Sequence, residues 1–279
     1  MIRENYAMDI KYCFKTQIVD ECNLNCCGCD HFAPIADSWH QPLGDFIKMM
    51  KTLKNTVGDS IKEIELYGGE PLLHKDLYRM LMACEIIFPQ TVILSIESNG
   101  LLLDSFLQKN KSLQKDTRIE YQITEYATTQ GIVDRLKNKY PNLVIFRSKH
   151  TPLELNTNKS CWKDCMFNIN LQYEENEERQ WEIYKHCYCK SFEEHSVCLR
   201  NWKISPCPLV MCIDIFDGYF GEHFYNEENY VKVTESLNKD DLYKMAHVPC
   251  EHCKRCGNVV YGFPYKMSEK KKSEWVVEK

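Results

Sequence analysis

The sequence predicts an α/β fold, a full or partial βα barrel followed by a small cysteine-rich α+β region. Two observations carry this. Over roughly the first 150 residues, short apolar runs alternate with helical patterns of about 10–15 residues, the rhythm that pairs strands in parallel through right-handed crossovers. After about Thr151 that rhythm breaks, and ten of the 16 cysteines lie from Cys161 onward. A chain of 279 residues is long enough to bury a full core.

The elements follow in order. Gln17 to Asp20 reads as the end of a strand leading into a cysteine loop. From Asp45 to Val57, residues Phe46, Ile47, Met49, Met50 and Leu53 fall on one helical face. Ile61 to Tyr67 alternates like a strand, and Asp76 to Phe88 is helical and closed by Pro89. Thr91 to Ile96 has the apolar run of a buried strand, followed by a helix from about Leu101 to Lys109. A strand at Ile119 to Ile123 precedes a helix from about Thr129 to Tyr140, ended by Pro141, and Leu143 to Phe146 is a further strand. The expected organisation is a barrel over 1–155, with an outer bound near 185, and a cysteine-rich region over 156–279 that ends in a helix. The Lys-rich stretch near Lys270 reads as a solvated helix face docked by Trp275.

Composition excludes some classes. Hydrophobic residues make up 44% and charged residues 27%, a globular balance, and a net charge of -5 attracts neither nucleic acid nor an anionic membrane. No apolar run approaches the roughly 20 residues that span a bilayer. The first ten residues mix charges of both signs and carry no signal-peptide core. A cytoplasmic location is expected, and in a reducing cytosol the cysteines read as metal or cluster ligands, not as disulfides.

Cys22-x3-Cys26-x2-Cys29 places three thiolates on the loop after the first strand. Thiolates are the ligands of iron–sulfur clusters, and three on a four-iron cluster leave one iron open for chemistry. A zinc knuckle is the competing reading, with His31 as a fourth ligand. Cys27 abuts Cys26 and reads as a non-ligand.

With Tyr67-Gly-Gly-Glu-Pro71 at the end of the second strand and Glu97-Ser-Asn-Gly100 at the end of the third, this spacing resembles the radical S-adenosylmethionine superfamily. The resemblance covers about half the chain and implies a partial (βα)6-type barrel, a [4Fe–4S] cluster on Cys22, Cys26 and Cys29, and S-adenosylmethionine as cofactor. It assigns the cofactor site to Gly68, Gly69, Glu70, Pro71, Ser98 and Asn99. Gly68 and Gly69 would let backbone approach the ligand, and Glu70 would face its amino group. Gly28 stands where the family usually has an aromatic residue, so His31 or Phe32 is the candidate adenine contact. Glu125 and Tyr126 follow the fourth strand and point toward the expected mouth; Glu125 is a cofactor-site candidate.

The second half resembles the shortened "twitch" form of an auxiliary-cluster domain, related to the SPASM type. The resemblance assigns a second [4Fe–4S] cluster to Cys189, Cys207, Cys253 and Cys256, with a hairpin over 200–207. Cys187, Cys198 and Cys250 are alternatives, Trp202 replaces the hairpin glycine, and structural zinc would suit the same thiolates. Cys161 and Cys165 stay unassigned, while Cys13, Cys84 and Cys212 read as core.

The Cys-Asp-His-Phe-Ala-Pro34 continuation resembles radical enzymes of bacterial surface-polysaccharide loci. That implies a carbohydrate-like small-molecule substrate, oxidised or epimerised, and a one-electron donor such as flavodoxin or ferredoxin. The alternatives are a peptide-modifying maturase and, in another class, a non-catalytic iron–sulfur carrier or zinc-stabilised binding module.

Overall fold

The computed structural model describes residues 10–147, 169–170, 177–185, 187, 195–256 and 266–277. Strands β1 (Tyr12–Val19), β2 (Ile61–Gly68), β3 (Ile93–Ser98), β4 (Ile119–Ile123) and β5 (Val144–Arg147) run parallel, with α1 (Leu43–Val57), α2 (Leu77–Ile87), α3 (Leu103–Lys109) and α4 (Ile132–Lys139) as crossovers. After β6 (Ile169–Asn170) and α5 (Glu177–Lys185), β7 (Ser196–Arg200) joins parallel to β1, on the side opposite β2. With β8 (Lys203–Ser205) and β9 (Val231–Lys232) added, they form an eight-stranded sheet in the order β5-β4-β3-β2-β1-β7-β8-β9. The sheet is open: β5 and β9 are its two edges among the described residues. A partial α/β barrel is what the sequence predicts.

The two faces of the sheet differ in chemistry. Phe14, Ile18, Ile64, Leu66, Leu94, Ile96 and Tyr121 are fully buried in one core with Phe46, Met49, Leu53, Met80 and Leu81 of the helices. The other face carries Lys15, Glu63, Glu65, Ser95, Glu97, Glu120 and Gln122, in register across the strands. Parallel sheets covered by helices on both faces are apolar on both, so this polar face marks the interior of the partial barrel. There Lys15 Nζ lies 3.3 Å from Glu65 and 3.9 Å from Glu97, and Ser95 donates to Glu63 at 2.5 Å.

The cysteine-rich half extends the same sheet. Its β7–β8 hairpin turns through Asn201 and Trp202 at φ 47° and 66°. Two successive positive φ values are what a two-residue I′ turn requires; Trp202 adopts the conformation that glycine would take freely. The chain continues through α6 (Pro208–Met211), α7 (Ile213–Phe220) and α8 (Lys239–His247) to β10 (Val276–Val277), which pairs with β6. The stretch around Lys270 is not the expected helix. Residues 266–277 form a bridge to Cys26, a 3-10 turn at Lys272–Glu274 and a short strand. Backbone hydrogen bonds to distant segments replace those a helix would make internally.

Candidate active site

The cysteine loop, the Gly-Gly-Glu turn and the Ser-Asn-Gly turn all leave the C-terminal ends of adjacent strands, where βα folds place their sites. Gly69 N donates to Val19 O and Glu70 N to Glu21 O, both at 2.8 Å, so this turn is laced to the chain leaving β1. A Cβ on Gly68 (φ 154°) would stand 2.1 Å from Val19 O, and one on Gly69 2.2 Å from Glu21 O. The glycines therefore let backbone pack directly on backbone at this point.

Glu70 is fully buried. Its Oε1 accepts from Ser98 Oγ (2.8 Å) and Leu72 N (3.1 Å), and its Oε2 from Asn99 N (3.0 Å). Burial pushes its pKa up to about 7, against the lowering pull of those three donors. Pro71 opens the 3-10 turn that Glu70 caps. Asn99 Nδ2 donates to Asn23 Oδ1 at 2.7 Å, tying the third motif into the cysteine loop. Asn23 went unnoticed in the sequence because nothing local marks a contact with a residue 76 positions away.

Cys26 and Cys29 are buried against Tyr126, with Leu24 and Ala33 beside them, and Cys22 lies close enough to affect Cys29 electrostatically. Burial raises the Cys22 thiol to about 11 and Cys29 further still. A bound metal centre would displace those protons. The donor set fits an iron–sulfur cluster with three protein ligands. The adjacent Cys27 thiol is raised to about 11, by burial first and then by the charge of Glu274. His31, the possible fourth zinc ligand, is engaged elsewhere: Nδ1 lies 3.0 Å from Gln17 Oε1, Nε2 3.5 Å from Asp30, and the ring stands edge-on to Tyr67. A cavity of about 380 Å³ opens beside Cys22, lined by Glu21, Asn23, Pro34 and Lys270 among others.

Two candidates are placed differently from expectation. Phe32 is fully buried among Phe216 and Trp275, with ring centroids 5.4 and 5.9 Å away, so its ring belongs to the aromatic core and does not offer itself to an adenine. Glu125, also fully buried, accepts from Val133 N at 3.0 Å and pairs with Arg147 at 2.5 Å. Its carboxylate serves the first turn of α4. Tyr126 is the neighbour that faces the cysteines.

A second group of thiols forms beneath the hairpin. Cys250 Sγ and Cys253 Sγ are 3.7 Å apart, and Cys207 packs in the same cluster with Val210 and Tyr230. Cys187 and Cys250 both raise the Cys207 thiol electrostatically, while burial is the larger cause. Cys253 also feels Cys207 and Cys256, and Cys256 forms a bridge with Ile169. Cys198 lies on β7, paired in register with Lys15. Cys189 lies outside the described residues, as do Cys161 and Cys165. His252, between Cys250 and Cys253, is buried, and neither ring nitrogen has a hydrogen-bond partner among the described residues. Burial lowers its pKa to about 4.

Among the described residues no helix is long and apolar enough to cross a membrane. Residues 16–147 match the family model of the radical SAM superfamily. The chain is 30% identical over 104 residues to a GTP 3′,8-cyclase of Campylobacter lari, covering 37% of this chain and 31% of that protein. It is 28% identical over 117 residues to the Campylobacter jejuni enzyme of the same name, covering 41% and 36%. It thus spans about a third of these curated relatives. Among solved structures, BtrN in complex with AdoMet and 2-DOIA aligns with a TM-score of 0.51 and 17% identity, over 90% of this chain and 95% of BtrN. That likeness is one of fold.

Proposed function

Through residues 16–147 this chain belongs to the radical SAM superfamily, and from that premise we propose that it is an enzyme that abstracts hydrogen from a sugar- or cyclitol-like small molecule, oxidising or epimerising it. The observation that carries the radical chemistry is the convergence of three thiols, Cys22, Cys26 and Cys29, with a Glu70–Ser98–Asn99–Asn23 network at one end of the sheet. When bound there, a [4Fe–4S] cluster and S-adenosylmethionine supply one-electron cleavage of the sulfonium and a 5′-deoxyadenosyl radical. The residues of this chain do the rest. Cys22, Cys26 and Cys29 hold the cluster, Glu70 fixes the Ser98–Gly100 turn, Asn99 ties that turn to the cysteine loop, and Gly69 keeps the Gly68–Glu70 turn against the chain leaving β1. An external one-electron reductant of the flavodoxin or ferredoxin kind would supply the priming electron. In an oxidation the substrate radical would pass its second electron, with loss of a proton, to an iron–sulfur cluster, and in an epimerisation it would take a hydrogen atom from a thiol-type donor.

The polar inner face supports the substrate class. Lys15, Glu63, Glu65, Ser95, Glu97 and Gln122 present donors and acceptors in rows matched to a polyhydroxylated molecule. Glu63, Glu65, Glu97 and Glu120 outnumber Lys15 on this face, which disfavours a polyphosphate such as the GTP of the named cyclases. For the second cysteine set we place an auxiliary metal centre on Cys187, Cys207, Cys250 and Cys253, since these four interact, and an all-thiolate set suits a second [4Fe–4S] cluster or zinc. Cys189, which lies outside the described residues, and Cys256, which also acts on Cys253, stay candidates for the same site.

The test is anaerobic reconstitution with S-adenosylmethionine and a strong reductant, with 5′-deoxyadenosine quantified beside a Cys22/Cys26/Cys29→Ala variant. We expect product from the wild type, none above background from the variant, and an increase when the right sugar or cyclitol is added. No product from a wild type with intact four-iron cluster would remove the radical assignment. Product that no polyol in a broad panel enhances, but that a peptide does, would move the substrate to the maturase class.

A further inference from the structure

We propose that the C-terminal segment 266–277 is the positioning element of the cysteine loop, with Trp275 as its anchor. This rests on the reading of Cys22, Cys26 and Cys29 as cluster ligands. Nothing in the local sequence of the loop requires such a partner, which arrives from about 240 residues away.

The contacts are dense and specific. Ser268 N donates to Asn25 O at 2.8 Å, and Asn25 Nδ2 returns a hydrogen bond to Ser268 O at 3.1 Å. Cys26 and Met267 form an antiparallel bridge, and Cys27 N donates to Lys266 O at 3.0 Å. Trp275 Nε1 donates to Cys29 O at 2.8 Å. Of the five residues from Asn25 to Cys29, only Gly28 receives none of these contacts, and it takes φ 66° to let the loop turn.

The segment can hold the loop because it is itself fixed at the far end. Trp275 is fully buried, 5.9 Å from the Phe32 ring and 6.0 Å from Phe220. Its carbonyl accepts from Ile169 N at 2.8 Å, and Val276 and Val277 pair with Ile169 and Asn170. Ile169 in turn bridges Cys256, beside the second thiol group. One carbonyl of a ligand residue is therefore tied to an indole that cannot move without disturbing an aromatic core and a strand pair. Partners of this kind orient metal ligands without touching the metal.

The experiment uses full-length reconstituted protein. Trp275→Phe keeps an aromatic ring in the core and removes the N–H. We expect the far-UV spectrum and iron content to match wild type. Iron from the cluster that responds to S-adenosylmethionine should pass to a chelator about ten- to a hundredfold faster. The spectral shift that the cofactor induces in the reduced cluster should weaken by electron paramagnetic resonance. Asn25→Ala, which removes only the side-chain bond to Ser268, should move both readouts in the same direction and decides the matter if Trp275→Phe fails to fold. Lys271→Ala, an exposed residue of the same segment paired with Glu269, should move neither. Wild-type release and spectra in Asn25→Ala and in a folded Trp275→Phe would overturn the proposal. A cofactor-responsive cluster surviving in Cys22/Cys26/Cys29→Ala would instead overturn the ligand assignment, whatever Trp275→Phe shows.

Discussion

At Gly69 an added Cβ would meet the Glu21 carbonyl at 2.2 Å and the Asp20 carbonyl oxygen at 2.6 Å, all of it backbone that cannot rotate aside. Gly69→Ala must therefore part the second motif from the cysteine loop, at a cost of about 3 kcal/mol, the upper end for overpacking. At Gly44 in α1 an added Cβ would meet nothing within 4 Å, so Gly44→Ala should gain about 0.5–1 kcal/mol from helix propensity. Denaturant midpoints compare the two, and a Gly69→Ala as stable as Gly44→Ala would contradict the close approach. The sequence marked Gly68 and Gly69 as sites where backbone approaches the ligand, and the structure adds their close approach to the chain leaving β1. It also marked Phe32 and Glu125 by position alone, and the direction of a side chain on a loop depends on what packs around it.

Between elements, the hairpin is fastened to the mouth of the barrel by one buried ion pair. Arg200 meets Asp20 through two contacts, Nη2 at 2.6 Å and Nε at 3.2 Å, and its guanidinium lies 4.7 Å over the Trp39 ring. Asp20 is almost fully buried, so Arg200→Ala leaves a buried carboxylate without its main countercharge and should cost about 3–5 kcal/mol. Arg200→Met with Asp20→Asn leaves no charge behind and should cost markedly less than Arg200→Ala. A double-mutant cycle by denaturation measures the coupling; additive costs would show that the pair does not hold the hairpin. Strand and helix alternation through residue 146 was readable because each element carries its own period. The placement of β7 beside β1 was not, since strand order is decided by which edge is left to pair.

For the whole molecule, two buried groups set opposing pH dependences in the metal-free protein. Glu70 has its pKa raised to about 7, so the folded state holds a proton the unfolded chain releases, and its contribution falls as pH rises from about 4.5 through 7. His252 is lowered to about 4, so the unfolded chain takes a proton the folded state refuses, and stability falls as pH drops from about 6.5 toward 4. Each shift is on the order of 3 kcal/mol, and over the shared window they offset. Relative to wild type, Glu70→Gln should therefore gain stability on going from pH 5 to 7, and His252→Phe should lose it. Thermal melts at both pH values check this, and difference curves with the same slope would contradict it. What the sequence determined by itself is the local chemistry: thiolates at cluster spacing, glycine-rich turns at strand ends, and the two-residue alternation that makes Ile61 to Tyr67 a strand. Only the tertiary structure decided which thiols meet, that Asn99 reaches Asn23 across 76 positions, and that Trp275 reaches Cys29 across 246. Spacing along a chain constrains groups a few residues apart, whereas contacts across such separations form only when the packed core brings their segments together.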